Sequence, residues 1–182
     1  MIYIWGPKIW YFFHIVTYNY PLNPSENDKK LYKHFFNDII FEVLPCDYCR
    51  YDYLEKINKY KIDDYLNSRD RLINWGINIH NLVNRDTRKR RFSFEESNKI
   101  YLNKINHTLI FNLMKYYSDW TLRDIHAVGK FKKILKYIIL FFPCVKYKQK
   151  LINWYDNTVK PCKNLHMINR QIVYFSTLNK YI

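Results

Sequence analysis

Apolar positions in the first eighteen residues recur at three- and four-residue steps. Between Trp5 and Tyr18, Ile9, Phe12, Phe13 and Val16 fall on one helical face, and Trp10 and His14, four apart, fall on another. Pro21 and Pro24 end this helix, and Ser25 with Asp28 has the form of a cap for the next. The spacing of Leu31, Phe35, Ile39 and Val43 predicts a second helix as far as about Leu44. Pro45 is then expected in the first turn of a third helix beginning around Cys46, where its missing N–H costs nothing. A fourth helix is predicted from Ser68 to about Asp86 on an apolar line of Leu72, Trp75, Ile79, Leu82 and Val83, with His80, Asn81 and Asn84 on the neighbouring face. After the basic loop RDTRKRRF, the stretch SFEE reads as a capping box, Ser93 with Glu96, opening a fifth helix expected to continue past Tyr101. From Thr121 onward two or three further helices are expected, broken near Pro143 and Pro161.

Composition agrees with a helical chain. Three glycines and six prolines in 182 residues are too few for a protein built on tight turns, and 48% hydrophobic and 19% aromatic residues exclude a disordered one. The expected class is all-α, in one domain or a domain with an appendage. The net charge of +14 is unevenly placed: residues 1–105 hold 17 Lys and Arg against 13 Asp and Glu, residues 106–182 hold 13 against 3. A boundary is therefore set near residue 105, between an amino-terminal domain, 1–105, and a basic helical extension, 106–182. The field of that extension suits nucleic acid or an anionic membrane face, and equally an ordinary solvated surface. The opening MIYIWGPKIW lacks a charged leader region, so secretion is not expected. The longest apolar run, Tyr137 to Val145, is far below the roughly 20 residues a membrane-crossing helix needs.

The candidate chemistry lies in LPCDYCRYDYL, residues 44–54. Cys46 and Cys49 stand at a predicted helix start, where unpaired backbone N–H groups and the helix dipole favour a thiolate. Such a pair suits redox exchange. Zinc would need two more ligands at matching spacing, and Cys144 and Cys162, 18 apart, do not supply them, so no metal is expected. Two buried, unreactive cysteines remain an alternative for the motif alone. In the fourth helix, His80 and Asn84, one turn apart, set an imidazole beside an amide with Asn81 at the edge of that face. Such groups commonly cap or make core hydrogen bonds, but Trp10 with His14 repeats the pattern on another helix, and two such faces suit a planar, hydrogen-bonding ligand between helices.

The motifs WGPKIWYFFH, LPCDYC and HNLVN followed by Lys89, in this order and at these separations, resemble the Erv/ALR family of FAD-linked sulfhydryl oxidases over roughly residues 5–105, and most nearly its small members from large cytoplasmic DNA viruses. The resemblance implies a bundle of four helices and a short fifth cradling FAD, paired as a homodimer. It implies oxidation of protein dithiols to disulfides, with electrons passing through flavin to oxygen to give hydrogen peroxide. By this resemblance Cys49 lies against the flavin ring and Cys46 is attacked by substrate thiols. The positions matched to cofactor contact are Gly6, Lys8, Trp10, His14, His80, Asn81, Val83, Asn84, Lys89 and Tyr101. It implies thiol-bearing protein partners, thioredoxin-like carriers among them, and places the chain in the cytoplasm of a virus-infected cell and in the virion, in a pathway for virion disulfides.

Departures from the family pattern carry information too. A second disulfide frequent in relatives falls at Ile77 and Phe94 here, which reads as replacement of a staple by an apolar contact. The arginine common after the first glycine is Pro7, with Lys8 beside it. Relatives also carry a shuttle cysteine pair on a mobile arm. For Cys144 and Cys162 the wide separation, with a proline directly before each, favours a structural or simply reduced pair over a shuttle. The alternative to the oxidase is a redox-inert helical protein that binds nucleic acid or zinc.

Overall fold

The computed structural model describes residues 2–102, 105–122, 128–162 and 165–178, and these are helical with no strand among them. The elements are α1 (Ile2–Tyr18), α2 (Glu26–His34), α3 (Ile40–Val43), α4 (Asp47–Lys59), α5 (Arg69–Asp86), α6 (Phe94–Tyr101), α7 (His107–Thr121), α8 (Val128–Leu140), α9 (Val145–Trp154) and α10 (Leu165–Leu178). None is long and apolar enough to cross a membrane among the described residues. The chain divides into two compact units: residues 13–105 form one, and residues 1–12 join residues 106–182 in the other.

In the unit of residues 13–105, the carboxyl-terminal part of α1 is the central element. Phe13, His14, Ile15, Val16, Thr17 and Tyr18 are all buried, so this stretch is enclosed on every side and not merely on one stripe. α2 starts at Ser25 with the expected capping box, in which Ser25 and Asp28 satisfy each other's backbone N–H groups. The run expected to reach Leu44 as one helix is interrupted by a π turn, Phe35–Ile39, before α3. Phe35, Phe36 and Ile39 within the turn, and Ile40 and Val43 after it, are all buried.

Two expected boundaries differ. Pro45 is not inside the third helix: Cys46 is the N-cap, with extended backbone (φ −141°, ψ 119°), and Pro45 precedes it. α6 does not run past Tyr101, because Leu102 turns extended (φ −71°, ψ 121°), and α7 opens separately with Asn106 as its cap. α5 has the predicted bounds, capped by Ser68.

The second unit packs α7, α8, α9 and α10 around Phe111, Met114, Tyr117, Phe131, Leu135, Ile138, Leu151, Ile168 and Ile172. The Asn169 amide on α10 donates to Asp119 on α7 at 2.9 Å, and Tyr11 accepts from the Asn106 N–H. The expected breaks fall where Pro143 and Pro161 stand, and residues 123–127, near the expected start at Thr121, lie outside the described ones.

α1 and α5 meet at Gly76, where a Cβ would stand 3.1 Å from Phe13 Cε1 and 3.1 Å from Thr17 Cγ2. Both neighbours are fully buried and have nowhere to go. Gly76→Val should therefore lower stability by about 2 kcal/mol through overpacking, measurable as a reduced urea midpoint with unchanged helix content at low denaturant.

Candidate functional site

Cys46 and Cys49 are joined by a disulfide, with Cα atoms 5.2 Å apart. As N-cap of α4, Cys46 accepts the Cys49 N–H on its Sγ at 3.2 Å, so the sulfur fills the place a serine oxygen would take. Both cysteines are half-buried. Arg50 pairs with Asp47 and donates to Leu44 O at 3.1 Å, fastening the turn before the disulfide to the helix that follows it.

From Cys49 the inner face of α4 runs on through Tyr53 and Ile57, both buried, at four-residue steps. Tyr53 donates its hydroxyl to Phe36 O at 2.7 Å, and burial pushes that phenol well above its ordinary pKa. Its ring meets Phe13 edge-on at 6.5 Å, and Phe13 in turn stacks on Trp75 at 5.8 Å. A continuous set of aromatic rings therefore leads from the turn below Cys49 to the α1–α5 contact.

The next residue of α1 begins the second half of the site. His14 Nε2 and His80 Nδ1 are 2.9 Å apart, sharing one proton as donor and acceptor, with ring centroids 5.2 Å apart. Tyr101 stacks on His14 at 4.7 Å, and Phe92 sets its edge against both imidazoles, at 5.5 and 5.0 Å. Burial, and then the neighbouring His80, holds the His14 pKa well below its usual value. Burial, and then the Lys89 charge, lowers that of His80 to about 3. Both rings are thus neutral at physiological pH.

Asn81 and Asn84, predicted on this face, act on the loop that follows α5. Asn81 clamps the Phe92 peptide, donating to its O at 2.9 Å and accepting its N–H at 3.1 Å, and Asn84 donates to Arg90 O at 3.2 Å. The loop leaves α5 by a helix-ending motif in which Lys89 N–H reaches Asn84 O (2.7 Å) and Arg88 N–H reaches Arg85 O (3.1 Å). Its left-handed position, usually glycine, is Arg88 with φ 55°. Val83 is half-buried, and Lys89 is exposed. α6 is held to α1 by Tyr18, whose hydroxyl lies 2.9 Å from Ser97 Oγ and 2.8 Å from Asn98 Oδ1, and this anchors Tyr101.

The structure therefore gathers His14, His80, Asn81, Asn84, Lys89 and Tyr101 around one loop. Gly6, Lys8 and Trp10 belong to the other unit, where Gly6 is buried and Lys8 and Trp10 are half-buried. Ile77 is buried and Phe94 half-buried, the latter as the first residue of α6 and not in a loop. No disulfide joins Cys144 to Cys162, so the structural staple is not formed; Cys144 precedes α9 with extended backbone, and Lys132 donates to the carbonyls of Lys160 and Cys162 at 2.9 Å each. No group of three potential metal ligands occurs among the described residues.

Sequence reasoning missed Phe13, Tyr53 and Phe92 as parts of the site, and Lys56. Phe92 was signalled only as the first apolar residue after a run of charges. Lys56 is buried, and although burial by itself would lower its pKa, hydrogen bonds to Asp52 and Asp86 keep it raised. It ties α4 to the end of α5, where the loop starts.

The neutral histidines make stability depend on pH. An unfolded histidine takes a proton near pH 6.5, whereas His80 in the fold resists protonation down to about 3. Its contribution is complete above pH 6.5 and is lost as pH falls from 6.5 toward 3. The urea midpoint is expected to fall across that window, and less steeply in His80→Asn; equal slopes in the two proteins would remove His80 as the cause.

Three comparisons bear on this arrangement. Residues 7–103 match the model of the Erv1/Alr family. The probable FAD-linked sulfhydryl oxidase of Acanthamoeba polyphaga mimivirus is 45% identical over 94 residues, 51% of this chain and 65% of the relative. The FAD-linked sulfhydryl oxidase of an African swine fever virus isolate is 26% identical over 117 residues, 64% of this chain and 96% of the relative. The match thus spans less than two thirds of the mimivirus relative. The crystal structure of the yeast Erv1 core superposes with a TM-score of 0.53 at 27% identity, over 58% of this chain and 87% of that one. With the family model matched across more than half of its length, the chain belongs to the Erv1/Alr family.

Proposed function

We propose that this chain is an FAD-linked sulfhydryl oxidase that forms disulfides in protein substrates. The observation that carries the reading is the Cys46–Cys49 disulfide at a helix N-cap, with the face below Cys49 leading through aromatic rings to the His14–His80 pair. The family membership and the sulfhydryl oxidases among the relatives support it.

The residues present fit FAD by their donor chemistry. Two uncharged imidazoles and the Tyr101 ring suit a planar heterocycle. The exposed run Arg88, Lys89, Arg90 and Arg91 suits a diphosphate. His14, His80, Asn81, Val83, Asn84, Lys89 and Tyr101 would hold the cofactor, the two asparagines by shaping the loop. Gly6, Lys8 and Trp10 enter this proposal through the motif WGPKIWYFFH alone. FAD, when bound, supplies the acceptor for two electrons and their transfer to oxygen, giving hydrogen peroxide.

The chain's own part is thiol exchange. A substrate thiolate attacks Cys46 Sγ, the Cys46–Cys49 bond breaks, and Cys49 departs as a thiolate, leaving substrate joined to Cys46. The second substrate thiolate then attacks the substrate sulfur of that mixed disulfide, breaking its bond to Cys46. The substrate disulfide forms, Cys46 is released as a thiolate, and the protons lost by the substrate pass to solvent. The Cys49 N–H that donates to Cys46 Sγ steadies the Cys46 thiolate as it leaves in the second exchange, and the helix N-terminus steadies both thiolates. Cys49, on the inner face, is the member of the reduced pair turned toward the rings. The viral source of two relatives supports a setting in the infected cell; virion proteins as substrates and a homodimer as the working form belong to this proposal through the family resemblance of the motifs alone.

The test is oxygen consumption with dithiothreitol by the flavin-loaded protein. Cys46→Ser and Cys49→Ser should each lower turnover at least about a hundredfold, the scale on which loss of a catalytic group acts, while both variants stay folded, because serine caps helices well, and keep bound flavin. Normal turnover in either variant, or a protein that takes up no flavin, would defeat the reading.

A further inference from the structure

The outer face of α4 is unlike its inner one. Tyr48, between the two cysteines, is 78% exposed, and Tyr51, one turn on and on the same face, is 68% exposed. Tyr51 meets the half-buried Phe41 of α3 edge-on at 6.4 Å. Tyrosine rings this exposed are a loss in water unless something covers them, and exposed apolar surface concentrated at one place marks a binding surface. This one adjoins the Cys46–Cys49 disulfide, and Arg50 holds it rigid by closing the Leu44 turn onto the helix. Asp47 and Arg50 pair and cancel, so the platform is near neutral in a chain whose net charge is +14.

We propose that Tyr48 and Tyr51, backed by Phe41, form a docking platform for the substrate polypeptide and select cysteines flanked by apolar or aromatic residues. The inference rests on the oxidase reading, which supplies the occupant: a chain whose sulfur reaches Cys46 must lay its neighbouring residues beside the helix turn that carries Tyr48. Rigid aromatic rings provide large contact area with few rotatable bonds and so a small entropic cost on binding. Because the platform lacks net charge, recognition works by apolar contact and depends little on salt. A small dithiol has no flanking residues and is blind to it.

Two unstructured peptides with the same cysteine spacing, one with Phe and Leu beside the cysteines and one with Ser and Gly, test this alongside dithiothreitol. The flavin-loaded protein should favour the apolar peptide in kcat/KM by roughly tenfold, through KM, with little change between low and moderate salt. In Tyr48→Ser/Tyr51→Ser the preference should fall to near unity, with dithiothreitol turnover, flavin absorbance and helix content unchanged. A wild-type protein that turns over dithiothreitol but treats the peptides alike, or a double variant that keeps the preference, overturns the platform and leaves the oxidase standing. A preference that vanishes on raising salt assigns docking to charge and also overturns it. No turnover of dithiothreitol by the wild-type protein sinks the oxidase reading, and the platform with it.

Discussion

The close approach of α1 and α5 at Gly76 is the constraint on which the unit of residues 13–105 depends. With no Cβ at residue 76, Phe13 can stack on Trp75 and Thr17 can lie against the α5 backbone. His80 stands one turn beyond Gly76 on α5, and His14 follows Phe13 on α1. The spacing that seats the rings therefore also brings the two imidazoles to 2.9 Å. Packing and chemistry share one close approach, and a Cβ at residue 76 would press on Phe13 and Thr17 at 3.1 Å each.

The two chain segments that flank this contact are positioned by backbone hydrogen bonds made by functional side chains. Cys46 is at once disulfide partner and helix cap, so opening the disulfide leaves an N-cap acceptor in place. Asn81 and Asn84 hold the loop of residues 88–92, whose cations then stand beside neutral histidines. Lys56 joins the helix of the disulfide to the start of that loop through Asp52 and Asp86. A buried lysine between two carboxylates is a positional device more than a stabilising one, because the cost of removing these charges from water offsets much of their attraction.

Much of this was open to reading along the chain. The caps at Ser25 and Ser93 fall where the serines and their acidic partners announced them, and α5 starts after Ser68 with the bounds its apolar spacing implied. Cys46 and Cys49 at a helix start, and His80, Asn81 and Asn84 on one face of α5, follow from local periodicity alone. Such features involve partners within about one helical turn, and the sequence between them contains everything their geometry needs.

What the sequence by itself determined is therefore the helical class, the positions of the caps, the cysteine pair and the polar face of α5. Tertiary structure alone showed that the second helix carries a π turn, and that Phe36 there meets Phe13 of α1 and Trp75 of α5 and accepts the Tyr53 hydroxyl of α4 on its carbonyl. It decided that the asparagine amides bind the loop and not only the face they share with His80, that Lys56 is buried, and that Tyr53, Phe13 and Phe92 complete the ring set. It also grouped residues 1–12 with residues 106–182, across nearly a hundred intervening positions. The reason is common to all of these. Helix caps and faces are settled by hydrogen bonds and side-chain spacing within a turn, whereas burial and ring contacts depend on which distant surfaces exclude water together.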